Sequence, residues 1–91
     1  MMVRRQPGWM TARVGDELVM MSVDKGNYVG LSDIGRRIWE IVEVPQALDE
    51  VCAQLEKEFV VAPDVCRREV EAFLAVLTKH GAIALDPERE P

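Results

Sequence analysis

The chain is short of the side chains that most enzyme chemistry uses. Among its 91 residues there is one histidine, His80, and the only serines and threonines are Thr11, Ser22, Ser32 and Thr78. A lone histidine without a cysteine or carboxylate constellation makes no metal or catalytic site, and none of the four hydroxyls has a histidine that the sequence places beside it. No GxSxG, P-loop, GxGxxG or HExxH signature occurs. The two cysteines, Cys52 and Cys66, form no CxxC pair and fall on apolar helical faces, as reduced core thiols do. No apolar run approaches the roughly 20 residues that span a bilayer. Arg4 and Arg5 are not followed by the apolar stretch of a signal peptide. The expectation is a cytoplasmic binding module, not an enzyme, with no metal, no cofactor and no membrane contact.

What is present is enough for one core, since 48% of the residues are hydrophobic. Charge is unevenly spread. Residues 1–37 carry six Lys/Arg against four acids, whereas residues 38–91 carry five against twelve. A helical half this acidic repels phosphate, so nucleic acid is not the expected partner even for a helix-turn-helix shape. A DNA-binding winged helix shares the expected fold, and the third helix offers it only Arg67, Arg68 and Lys79 against Asp64, Glu69 and Glu71.

Met1 to Gly8 has no periodicity and reads as a loose lead-in over residues 1–8. From Trp9 to Val14 the pattern alternates, with Met10, Ala12 and Val14 on one face, as in a half-buried strand. Leu18 to Val23 is an apolar run of strand length, consistent with the central strand of three. Asp24-Lys25-Gly26-Asn27 closes a hairpin, with Gly26 at the left-handed position. The returning strand, Asn27 to Leu31, is the third, and in this order of parts it lies at the edge of the sheet. Val29 and Leu31 share one face and Tyr28 and Gly30 the other; five residues do not say which face is core. Gly30 either makes room for the following helix or admits a ligand.

Ser32 is an N-cap for a helix of about ten residues carrying Ile34, Ile38, Ile41 and Val42, and Gly35 in its first turn suggests close packing against the sheet. Leu48, Val51, Cys52, Leu55 and Phe59 mark a second helix covered on one side. A third runs from about Pro63 to His80, with a core stripe of Cys66, Val70, Phe73, Leu74 and Leu77, and with His80 and Gly81 at its end. A second strip, Val65, Ala72 and Val76, widens its apolar arc beyond what one-sided burial needs. Either the sheet or a partner covers that strip. Ala82 to Leu85 suits a short strand, and residues 86–91 a polar tail.

The string Gly26-x-Tyr28-x-Gly30-Leu31-Ser32-x-x-Gly35-x-x-Ile38-Trp39 is followed by the Leu48/Leu55 helix, Phe59-Val60-Val61 and Val70-x-x-Phe73-Leu74-x-x-Leu77-x-x-x-Gly81. Over residues 9–85 this resembles the PqqD family, and most narrowly the free-standing leader-binding proteins of lasso-peptide biosynthesis. The resemblance implies an α+β fold in which a three-stranded antiparallel sheet precedes three helices in a winged helix-turn-helix-like arrangement. It also implies a RiPP recognition element. The leader of a ribosomally made precursor peptide would add as a strand to the third strand, with its anchors in a groove walled by the third helix, and would be presented to a leader peptidase and a cyclase. On that basis the peptide-binding residues are Asn27, Tyr28, Val29, Gly30 and Leu31 on the strand, and Val65, Arg68, Glu69, Ala72, Phe73 and Val76 on the helix. The same family resemblance with a radical-SAM or other RiPP maturase as partner is the alternative. One departure is Gln46-Ala47, where the family leads one to expect a Ser or Thr helix cap.

Overall fold

The computed structural model describes residues 1–86; the expected tail beyond Asp86 lies outside the described residues. Nine elements follow in order: β1 (Met2–Arg5), β2 (Trp9–Val14), β3 (Glu17–Ser22), β4 (Tyr28–Leu31), α1 (Asp33–Ile41), β5 (Gln46–Ala47), α2 (Leu48–Glu58), α3 (Pro63–Lys79) and β6 (Ile83–Asp86). The class is α+β as expected, but there are two three-stranded antiparallel sheets, β2-β3-β4 and β5-β1-β6. The first is the expected sheet, with β3 central and β4 at one edge.

The second sheet corrects the reading of residues 1–8 as a loose lead-in. Met2 to Arg5 pair antiparallel with Ile83 to Asp86 on one side, and Met2 and Val3 with Gln46 and Ala47 on the other. Val3 is 0% exposed and belongs to the same core as Ile38, Leu77 and Ile83. Arg5 lies 4.1 Å from the centre of the Trp39 ring and donates to the Trp39 carbonyl, so the strand is also fastened to the end of α1. Burial lowers the pKa of this guanidinium, while Glu43 and Glu40 oppose the shift. The same strand explains the missing cap. Ala47 offers no side-chain acceptor at the start of α2, and the Leu48 amide instead donates to the Met1 carbonyl at 2.9 Å.

The helices start and stop for local reasons. Ser32 Oγ accepts from the Gly35 amide at 3.1 Å, and Pro63 occupies the first turn of α3. At the end of α3, Gly81 takes φ +75°, Ala82 donates to the Leu77 carbonyl and Gly81 to that of Thr78. This left-handed turn aims the chain back at β1 as β6. Cys52 and Cys66 are free and buried, with the Cys66 thiol 3.8 Å from the Cys52 carbonyl. Desolvation pushes both thiols above their ordinary pKa, which keeps them protonated and unreactive.

Candidate functional site

The β3–β4 ladder decides what β4 exposes. Leu18 faces Leu31, Val19 faces Gly30, Met20 faces Val29 and Met21 faces Tyr28. In an antiparallel pair, bonded and non-bonded positions alternate. The Ser22 amide donates to the Asn27 carbonyl at 2.8 Å just before β4, so the bonded positions within β4 are Val29 and Leu31. The N–H and C=O groups of Tyr28 and Gly30 therefore point away from β3, along the open edge. Asn27 itself sits in the turn before β4, where Gly26 has φ +71° as the hairpin reading requires. Side chains follow the same parity. Val29 and Leu31 pack against the core, and Tyr28 stands 72% exposed on the outer face.

Gly30 does not make room for the helix. A Cβ built there would meet nothing within 4 Å, so the edge at this point is bare on its outer side. Gly35 is the glycine that permits close approach, although its neighbour is not the sheet. A Cβ there would lie 3.2 Å from Phe73 Cζ of α3. The contact sets the spacing of α1 and α3.

Between these two helices runs a groove of about 290 Å³, lined by Ser32, Ile34, Gly35 and Ile38 from the α1 side and by Glu69, Ala72, Phe73 and Val76 from α3. The sheet leaves the second apolar strip of α3 open, since Ala72 is exposed and Val76 is 42% exposed. Val65 and Arg68 of the expected set lie on α3 but do not line this groove; Val65 is half-buried and Arg68 exposed. The α1 contribution is absent from the expected set, because Ile34 and Ile38 at helical spacing read as core residues only. Ile38 serves both purposes, being fully buried while flooring the groove.

A larger hollow of about 450 Å³ between α1 and α2 is lined by Arg37, Gln46, Glu50, Gln54 and Lys57 among others. Two of its polar groups, Arg37 and Gln54, are already engaged. Arg37 Nε donates to Glu58 Oε1 at 2.7 Å and Gln54 donates to the same carboxylate, holding its pKa down to about 2. The strand beside it, β5, is only the two residues Gln46 and Ala47, and β4 does not line it. Among the described residues, no three His, Cys, Asp or Glu side chains are gathered as a metal cluster, and no helix is long and apolar enough to cross a membrane.

The sequence profile of the family described as "Coenzyme PQQ synthesis protein D (PqqD)" matches residues 17–83, most of the chain and all of β3 through α3. The chain belongs to the PqqD family. No curated protein matches it significantly by sequence. Among solved structures, this PqqD-family chain is similar to TbiB1 in complex with the TbiA(β) leader peptide, with TM-score 0.78 and 24% identity over 93% of this chain and 99% of that one. It is also similar to lasso peptide synthetase B1 complexed with the leader peptide, with TM-score 0.76 and 20% identity over 91% of this chain and 98% of that one. At these identities the likeness establishes that the PqqD-family fold here is shared with both proteins along nearly their whole length.

Proposed function

We propose that this chain binds the leader of a ribosomally synthesised precursor peptide by strand addition to β4, and presents it to the processing enzymes of lasso-peptide biosynthesis in the cytoplasm. The observation that carries the reading is the pairing of a bare edge with a groove. Tyr28 and Gly30 direct unsatisfied backbone groups outward, and the apolar α1–α3 groove leaves Ala72 and Val76 uncovered. Backbone pairing supplies affinity that is nearly blind to sequence, and pockets for alternate side chains supply selectivity. The two structurally similar proteins, each in complex with a leader peptide, support the same reading. The role is binding without catalysis, and the leader peptidase and cyclase act on the peptide while it is held. A short precursor gene beside a transglutaminase-like peptidase and an asparagine-synthetase-like cyclase would favour the lasso pathway. A radical-SAM neighbour would redirect the same binding mode to another maturase.

Only β4's two outward residues are available for pairing, so side-chain anchors must add to the affinity of a leader that is disordered when free. Val76→Asp places a charge where an apolar anchor would seat. The expected result, by fluorescence anisotropy with the labelled leader of the precursor encoded nearby, is a loss of about tenfold or more in affinity, on the order of 1.4 kcal/mol. The melting temperature should fall by only a few degrees, because Val76 is already 42% exposed. Unaltered leader affinity in this variant would remove the groove from the site.

A further inference from the structure

Glu69 is the one charged side chain that lines the α1–α3 groove. It also lines the small apolar hollow next to it, formed by Ile34, Leu55, Phe59 and Val61 among others. Its position on α3 is not explained by an internal ion pair. Nearby Glu71 faces Arg67 at 3.7 Å and Asp49 accepts from Arg67 at 2.6 Å, whereas Glu69 has no hydrogen-bond or ion-pair partner among the described residues. Arg68, the adjacent basic residue, does not line the groove and so does not neutralise it from within. The groove thus presents an apolar wall with a single uncompensated carboxylate.

Resting on the leader-binding reading above, we propose that Glu69 determines peptide selectivity: the ligand carries a lysine or arginine at a fixed distance from its apolar anchors, and that cation pairs with Glu69. When a peptide covers the groove, water leaves the carboxylate, and an anionic group losing water without a partner is penalised. A cation in the peptide removes that penalty, and an acidic residue at the same place adds repulsion. Selection is therefore two-sided, in favour of peptides with a well-placed cation and against peptides with an anion there. The overall excess of acids, a net charge of −5, reinforces the preference at long range but cannot fix a register. Glu69 can.

The test uses an mRNA-displayed library of random peptides of about fifteen residues, long enough to cover both β4 and the groove, selected on the immobilised full chain and on Glu69→Gln and Glu69→Lys variants. Glu69 is exposed and unpaired, so both variants should keep the wild-type melting temperature. The wild-type protein is expected to enrich Lys or Arg at one position relative to the apolar anchors. Glu69→Gln should lose that enrichment while keeping the anchors, and Glu69→Lys should replace it with Asp or Glu. A wild-type-selected peptide should bind Glu69→Lys about fivefold or more weakly, the scale of a rim ion pair turned to repulsion. Peptides that keep the anchors, lose binding to a Gly30→Pro variant and show no charge preference would overturn the Glu69 assignment and leave the leader reading standing. A selection that yields no peptide sensitive to Gly30→Pro would remove both.

Discussion

A Gly30→Pro variant is expected to bind the leader roughly 30- to 100-fold more weakly while melting within a few degrees of the parent protein. Gly30 occupies a non-bonded position opposite Val19, so its amide is not part of the β3–β4 ladder. Proline there removes one donor from the open edge and strands an acceptor on the incoming peptide, a loss of about 2–3 kcal/mol. A Cβ at this position meets nothing within 4 Å, the amide that would carry the ring's Cδ points away from β3, and Gly30 does not have the positive φ that proline cannot adopt. An edge strand tolerates proline when the lost amide faces outward. Val29→Pro is the opposite case. Its amide belongs to the bonded pair with Met20 and its side chain packs on the core, so the variant should lose about 3 kcal/mol of stability. Thermal melts and anisotropy on both variants separate the two effects, and a Gly30→Pro protein that binds normally would show that the peptide is held without this edge.

The second large effect is at the other end of the molecule. Val3→Asp should lower the melting temperature by at least about 15 °C, the consequence of losing about 3–5 kcal/mol by burying an unpaired charge in a domain of this size. Val3 is 0% exposed at the centre of β5-β1-β6, with Gln46 on one side and Leu85 on the other. A melting temperature unchanged by Val3→Asp would mean that residues 1–8 contribute nothing to the fold, as an unstructured lead-in would. Leader binding at a temperature where the variant remains folded should be close to normal, because no residue of this sheet lines the groove or pairs with β4.

The contrast between these two sites shows which parts of the molecule are visible in the sequence. The β2–β4 strands and the three helices have local signatures: alternation from Trp9, a glycine hairpin at Gly26, helical stripes from Ile34, Leu48 and Cys66. The alternation misleads about the face, since Met10 and Val14 are 52% and 61% exposed and Trp9 on the other side packs on the core. Their boundaries differ by a residue or so, as β3 ends at Ser22 where the apolar run extends to Val23. Strand β1 has no such signature. Val3 is its only buried residue, Arg4 and Arg5 follow it, and its main partner begins at Ile83, far along the chain. A strand that owes its existence to a non-local pairing leaves little trace in its own four residues.

The candidate site divides in the same way. Asn27 to Leu31 was legible as an edge and Ala72 and Val76 as part of a second apolar strip, because strand order and helical periodicity are local facts, whereas Glu69 entered only through the family resemblance. The parity that turns Tyr28 and Gly30 outward depends on register against β3, which no periodicity records. The opposite wall was hidden for another reason. Ile34 and Ile38 pattern as core, and only the Gly35–Phe73 contact reveals that α1 stands close enough to α3 to share a groove with it. Val65 and Arg68 share the helix with the groove residues yet do not line it, so a helix stripe alone overstates the extent of the wall.

The most direct measurement is amide hydrogen exchange, residue by residue, with and without the leader. Addition of a strand to β4 predicts that the Tyr28 and Gly30 amides, open in the free protein, become strongly protected. Thr11 and Arg13, whose amides point outward along the opposite edge at β2, should be unchanged. Saturating leader that leaves Tyr28 and Gly30 exchanging freely, or protects the β2 edge in their place, would contradict the account.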